Sequence, residues 1–106
     1  MKHRWTFQED YVCCTYYLRY IFNKPAGKSV RDLIYDISLE LTELESGSIR
    51  MKLQNIKQIC MEYDFEDGMD ISPLEKYSYQ CKRAFLKAIT DFNDELKAKK
   101  SNERGE

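Results

Sequence analysis

The chain holds few of the residues that break helices. Two prolines and four glycines occur among 106 residues, so long uninterrupted helices are allowed. No apolar run approaches the ~20 residues that a membrane helix needs. Met1-Lys-His-Arg-Trp-Thr6 lacks the apolar stretch of a secretion signal, so a cytoplasmic location is expected. A single histidine, His3, stands near the terminus, and no G-x-S-x-G, H-E-x-x-H or phosphate-cradling glycine loop occurs. Glu9 and Asp10 are adjacent carboxylates, but a capping role accounts for Glu9. No catalytic residue, and hence no enzyme, is expected. The four cysteines (Cys13, Cys14, Cys60, Cys81) form no C-x-x-C pair. A metal site is therefore not expected, nor any other cofactor, and the thiols read as small core residues kept reduced. Cys13 points away from the apolar stripe of its helix and is the expected accessible thiol.

What is present is a soluble, helical composition. The chain is 42% hydrophobic and 33% charged, which suits one small domain with a modest core. Net charge is −1, from 17 basic and 18 acidic residues, so a nucleic-acid partner would require the basic groups to cluster on one face. The acids concentrate in 63–76, where Asp64, Glu66, Asp67, Asp70 and Glu75 stand against Lys76 alone.

Apolar periodicity predicts four helices. The first starts at the capping box Thr6-Phe-Gln-Glu9, and its stripe is Phe7, Tyr11, Cys14, Leu18 and Ile21. Tyr16 and Tyr20 lie on the other side, as solvated surface or as a partner contact. A loop follows at Pro25 and Gly27. The second starts at Ser29, with Asp32 in its first turn, and carries Val30, Leu33, Ile34, Ile37, Leu41 and Leu44 inward. Asp36, Glu40 and Glu43 make its outer surface acidic. The third follows Glu45-Ser-Gly47, is capped by Ser46 or Ser48, and runs to about Glu62. Ser72-Pro-Leu-Glu75 reads as the clearest helix start, opening a stripe of Leu74, Tyr77, Cys81, Phe85, Ala88, Phe92 and Leu96. Tyr79 and Leu86 fall off that stripe. Residues 63–71 read as a solvated acidic loop.

The third segment carries the functional signal. Ile49, Leu53, Ile56 and Cys60 share one face, and the opposite arc carries Arg50, Gln54, Lys57 and Gln58, with Asn55 at its edge. These side-chain types bond base edges and phosphates. Arg4, with Lys2 and His3, would form a basic arm, and Lys97, Lys99, Lys100 and Arg104 a basic tail. The expected architecture is all-α: a tri-helical, helix-turn-helix-like core over about 4–62, the acidic loop 63–71, and a long fourth helix over about 73–98. Together these form one domain over 1–100, with 101–106 as a flexible tail. The fourth helix either closes the bundle or forms a homodimer seam.

Trp5-Thr-Phe-Gln-Glu-Asp10 resembles the tryptophan-plus-acidic opening of Myb/SANT-like helical domains. Ser48-Ile-Arg-Met-Lys-Leu-Gln-Asn-Ile56 resembles a segment of the small helical domains that precede bacterial HNH nucleases. The resemblance spans residues 4–62 and implies a tri-helical, DNA-associated module whose third helix is the reader. It adds Ser48, Arg50, Lys52 and Asn55 to the site. The second tryptophan of Myb-like domains is missing, with Tyr35 the nearest aromatic, and no HNH segment follows. Lys52 also falls near the apolar stripe beside Ile59, where its stem would cover the core. Asn55 has a structural alternative in bonding a neighbouring loop, and Trp5 in closing the end of the bundle.

The expected function is binding of duplex DNA, as by a small regulator from a bacterium or mobile element, through Ser48, Arg50, Lys52, Gln54, Asn55, Lys57, Gln58 and Arg4. The alternative is a protein-binding module, such as a phage-type inhibitor of a host defence or nucleic-acid enzyme. It would present Asp36, Glu40, Glu43, Asp64, Glu66, Asp67 and Asp70 to a basic protein surface. Neither reading involves a membrane.

Overall fold

Local capping decides where two of the helices begin. A computed structural model describes residues 4–23, 29–65 and 67–104, and among these it contains four α-helices and no strand. Helix α1 (Phe7–Asn23) starts at the reciprocal box read from sequence: the Glu9 N–H donates to Thr6 Oγ1 (3.1 Å) and the Thr6 N–H to Glu9 Oε1 (2.9 Å). Helix α2 (Val30–Glu40) has the same device, with the Ser29 N–H donating to Asp32 Oδ2 at 2.8 Å. It ends four residues before Leu44, which reaches the core from the following turn instead. Helix α3 spans Ser46–Glu62, and its N-cap is Glu45, which makes no side-chain capping bond. The expected cap by Ser46 or Ser48 is not formed, because the helix already begins at Ser46. The loop carrying Pro25 and Gly27 lies outside the described residues.

Helix α3 ends in a Schellman turn. The Phe65 N–H donates to Cys60 O (2.8 Å) and the Asp64 N–H to Met61 O (3.1 Å), with Asp64 left-handed at φ 55°. Asp is one of the few side chains that tolerates this conformation. The chain then runs back along α3 as an irregular strap, described at residues 65 and 67–78. Helix α4 (Tyr79–Arg104) starts only after it, with Ser78 Oγ accepting the Cys81 N–H at 3.0 Å.

The expected helix start at Ser72-Pro73 is thus corrected. Pro73 suits a first helical position, so the cause lies outside the segment. The strap finds its hydrogen-bond partners on α3. The Leu74 N–H donates to the Gln54 carbonyl at 3.0 Å. The Asn55 amide nitrogen, in the orientation that satisfies it, donates to Leu74 O (3.2 Å) and Lys76 O (2.8 Å). The far end is corrected as well: α4 continues to Arg104, past Lys97, where the core pattern stops.

Helices α1 and α3 form the central pair. α2 packs on both, and α4 packs on both, most extensively on α1. Leu18, Leu33, Ile37, Leu53, Ile56 and Phe85 are fully enclosed between them. Each such side chain contributes roughly 1.5–3 kcal/mol by leaving water. Because α1 is covered on several sides, one stripe does not describe its burial. Tyr17 and Cys13 are fully buried along with Cys14 and Leu18, so Cys13 is not the accessible thiol that its position off the stripe suggested. At the bundle's end Phe22 stacks on Phe92 and meets Phe65 edge-on, with centroids 4.8 and 5.7 Å apart. No helix among the described residues is long and apolar enough to cross a membrane.

All four thiols are buried, and burial pushes those of Cys13, Cys14 and Cys60 up, the last to about 12. Thiolate is the reactive species. Folded protein should therefore consume a thiol reagent slowly and release all four thiols only on unfolding. Modification of Cys13 at the rate of a free cysteine would contradict the burial described.

Candidate nucleic-acid interface

The strap covers much of the arc on α3 expected to read DNA. Lys57 Nζ donates to Asp67 Oδ1 at 2.6 Å and to the Met69 carbonyl at 3.1 Å. Asp67 also accepts the Met69 N–H (3.0 Å) and the Tyr17 hydroxyl (2.6 Å), and it is 5% exposed. Residues 63–71 are therefore not a solvated linker. Asp67 is a buried anchor, although Asp64 and Asp70 are exposed, and Phe65, Met69 and Ile71 pack on the core. Gln58 Nε2 donates to Glu62 Oε2 at 3.1 Å, and the Tyr77 hydroxyl donates to the same carboxylate. Asn55 holds the strap, as its structural alternative anticipated. Of the residues placed on the arc, Arg50 alone stands exposed; Gln54, Asn55, Lys57 and Gln58 are half-buried.

Lys52 lies further inside. Its ammonium is 2.9 Å from Asp10 Oδ1 and 4.7 Å from the centroid of the Trp5 ring, and both ionic side chains are nearly inaccessible. Gln80 Nε2 joins the same group, donating to Asp10 Oδ2 (2.9 Å) and to the Trp5 carbonyl (3.1 Å). The residues that carry the family resemblance therefore converge. Trp5, Ser48, Lys52 and Asn55 line one cleft of about 810 Å³, together with Tyr77 and Ser78. The cleft also carries Glu43 and Glu45, so its charge is mixed. Arg4 is exposed beside Trp5. Lys2 and His3, and the side chains of Lys99, Lys100 and Arg104, lie outside the described residues.

The acidic set does not form one surface. Asp36 accepts the Tyr20 hydroxyl at 2.6 Å and Glu40 the Tyr16 hydroxyl at 3.0 Å, so these groups join α2 to α1. Tyr16 and Tyr20 are correspondingly no free contact surface. Asp64 shapes the end of α3, and Asp67 is buried. Glu43 and Asp70 are exposed, and Glu66 lies outside the described residues.

Tyrosine–carboxylate bonds are the recurring polar device. Tyr11 gives a further one, to Asp91 Oδ2 at 2.5 Å, which Lys87 also approaches at 3.0 Å. Burial, then the bond to Asp67, pushes the Tyr17 hydroxyl up, and burial followed by the Asp36 bond does the same to Tyr20. The bond to Glu62 raises Tyr77 to about 12. All remain protonated donors at neutral pH. In return, Glu62 is held below the usual carboxylate range by Tyr77 and then Gln58, and Asp91 by Tyr11 and then Lys87.

A different face is open. A groove of about 390 Å³ between α2 and the start of α3 is lined by Arg31, Ile34, Tyr35, Ser38, Ser46, Gly47 and Arg50. Among the described residues its lining contains no carboxylate, whereas the cleft at Trp5 and two grooves along α1 each carry at least one. Arg31 and Arg50 are exposed, and neither takes part in an ion pair among the described residues. The uncapped first turn of α3 adds backbone amides without intrahelical partners. Sequence reasoning centred on α3 missed Arg31. The signal was there: Arg31, Tyr35 and Ser38 recur at helical spacing on one side of α2, and Arg50 lies one turn into α3. Compared with models of known families, with characterised proteins and with solved structures, the chain matches none.

Removing Asp67 leaves Lys57 and the Tyr17 hydroxyl without their shared acceptor. Asp67→Ala should lower the unfolding free energy by about 3 kcal/mol in urea titration. Glu43→Ala, at an exposed position, should stay within about 0.5 kcal/mol. Equal, small effects of the two would show that the strap is not anchored through Asp67. The carboxylates fix the acid response too. Glu62 and Asp91 are depressed in the folded state, so their stabilisation is present above their unfolded values and lost as pH falls through the lower folded ones. The urea midpoint should fall on acidification through that window, and Glu62→Gln with Asp91→Asn should flatten the fall. An unchanged acid limb in the double variant would assign it to other groups.

Proposed function

We propose that this protein is a DNA-binding helical module that makes its contact with the shoulder formed by α2 and the first turns of α3. The observation that carries the reading is the pairing of Arg31 and Arg50 on one open groove without a carboxylate. In a chain of net charge −1, such a place concentrates positive potential locally. The unsatisfied amides at the start of α3 suit a phosphate at the same place. The order of α2, a short turn and α3 suits a helix-turn-helix arrangement. The resemblance of Trp5–Asp10 and Ser48–Ile56 to DNA-associated helical domains agrees with it. Within this reading Lys52, Asn55 and Lys57 set the shape of the reader rather than touch DNA, Arg4 is a flanking backbone contact, and Gln54 and Gln58 flank the strap. A small regulator from a bacterium or mobile element is the kind of protein this describes.

A second reading keeps the same shoulder and changes the partner. Tyr35 and Leu39, a turn apart on α2, are 61% and 62% exposed, and an apolar pair of this kind suits a protein contact.

Fluorescence anisotropy with random-sequence DNA at low and moderate salt separates the two. Wild type should bind with a pronounced salt dependence. Arg31→Glu with Arg50→Glu should weaken binding at least tenfold and reduce the salt slope by about two. Lys97→Glu, exposed on α4, should change little. Both arginines are exposed, so circular dichroism should report an intact fold. Undiminished DNA binding by the double variant would refute the shoulder as the site. No wild-type binding at low salt would refute DNA as the partner.

A further inference from the structure

Tyr35, like Tyr63 and Tyr79, is spared the use that the fold makes of five other tyrosines, and of these three it is the one in the groove of the two arginines. Tyr11, Tyr16, Tyr17, Tyr20 and Tyr77 each donate a hydroxyl to a carboxylate and are thereby fixed between elements. Tyr35 makes no such bond and is 61% exposed. It lies in the groove of Arg31 and Arg50, which at about 390 Å³ is within the ~300–1,000 Å³ range of small-ligand sites. An exposed aromatic ring lining the same groove as two arginines, with no carboxylate in that lining, is a combination suited to a base on the ring and its flanking phosphates on the guanidinium groups.

The strap bears on the form of the DNA. Lengthwise insertion of α3 into a major groove needs the arc of Gln54, Lys57 and Gln58 clear. Here Lys57 is turned onto Asp67, and the strap backbone is bonded to the Gln54 carbonyl. Ile71 of the strap is buried in the core, so the covering is part of the fold. The open shoulder is short, and it matches one nucleotide more closely than a helical turn of duplex.

We infer that the groove between α2 and α3 binds an unpaired nucleotide of a DNA strand, its base stacked on Tyr35 and its flanking phosphates on Arg31 and Arg50. This rests on the DNA-binding reading above and narrows it to single-stranded or locally opened DNA. Recognition by stacking tolerates any base, so strand form rather than sequence would govern affinity.

The test compares an oligothymidylate with a random-sequence duplex of equal length by anisotropy, using wild type, Tyr35→Phe, Tyr35→Leu and the Arg31/Arg50 double reversal. A strand carrying 2-aminopurine reports stacking through fluorescence quenching. Wild type should prefer the single strand by roughly tenfold and quench the probe. Tyr35→Leu should lose roughly tenfold on the single strand together with the quenching. Tyr35→Phe should retain both, since the ring and not the hydroxyl is used. If Tyr35→Leu matches wild type while the arginine reversal loses binding, the DNA reading stands and the unpaired-nucleotide site is overturned. A wild-type preference for duplex overturns it equally. Absence of salt-sensitive binding to either form removes the DNA reading and this inference with it.

Discussion

Asp67 is a carboxylate at the bottom of the protein's polar interior, and it gathers three donors from three parts of the chain. Tyr17 reaches it from α1, Lys57 from α3, and the Met69 amide from the strap itself. A charge withdrawn from water this far is tolerable only when its lone pairs are filled, and here they are. The consequences run outward from that point. The strap is held along α3, so its next polar groups fall against Gln54 and Asn55. The segment Ser72–Glu75, which has all the local features of a helix start, therefore satisfies its backbone on a neighbour instead. Helix α4 is delayed to Tyr79, and the face of α3 that carries Gln54, Asn55 and Lys57 becomes a seam with the strap.

The second buried pair obeys the same constraint with a different solution. Lys52 and Asp10 are paired at 2.9 Å with both side chains almost out of reach of water. Gln80 supplies the further donor to Asp10, and the Trp5 ring faces the ammonium. A buried ion pair seldom adds much net stability, because desolvation consumes most of its attraction. What this one does is limit the ways the elements can meet. It joins the start of α1, the middle of α3 and, through Gln80, the start of α4, and a shift of any of the three would strand a charge. That accounts for the tryptophan and the lysine, as the strap accounts for Asn55, without requiring that any of them touch a ligand.

The parts of this arrangement legible in sequence are those with local causes. The boxes at Thr6 and Ser29 involve groups three residues apart, and the apolar stripes of α1 to α3 follow from helical geometry alone. The all-helical class followed from them. What was not legible depended on contacts between distant residues. Cys13 lies off the main stripe of α1, but a central helix has neighbours on several sides. The box at Ser72 competes with bonds from Gln54 and Asn55 some twenty residues earlier, and nothing within the box records that competitor. The same holds for the acidic residues. Composition shows Asp36, Glu40 and Asp67 as charges, and only the fold shows that each faces a tyrosine hydroxyl. The structural alternatives for Lys52 and Asn55 could be framed from their angular positions, because a polar residue at the edge of an apolar stripe has few places to go, and that for Trp5 from its place just before the first capping box.

The candidate interface is what this economy leaves over. A chain with slightly more acids than bases would ordinarily repel a polyanion. Here the carboxylates of Asp10, Asp36, Glu40, Glu62, Asp67 and Asp91 are taken up by tyrosines, lysines and glutamines, and several of them are drawn into seams between elements. Potential at a surface depends on which charges face it and how far they are screened, and not on the sum over the sequence. Arg31 and Arg50 line the same opening, and no carboxylate is among its described lining residues. A tyrosine hydroxyl does not cancel the charge of the carboxylate it bonds; what matters is placement, and since Asp36, Glu40, Glu62, Asp67 and Asp91 all lie outside the lining of this opening, a small basic, aromatic shoulder is left on a protein whose overall charge would not suggest one.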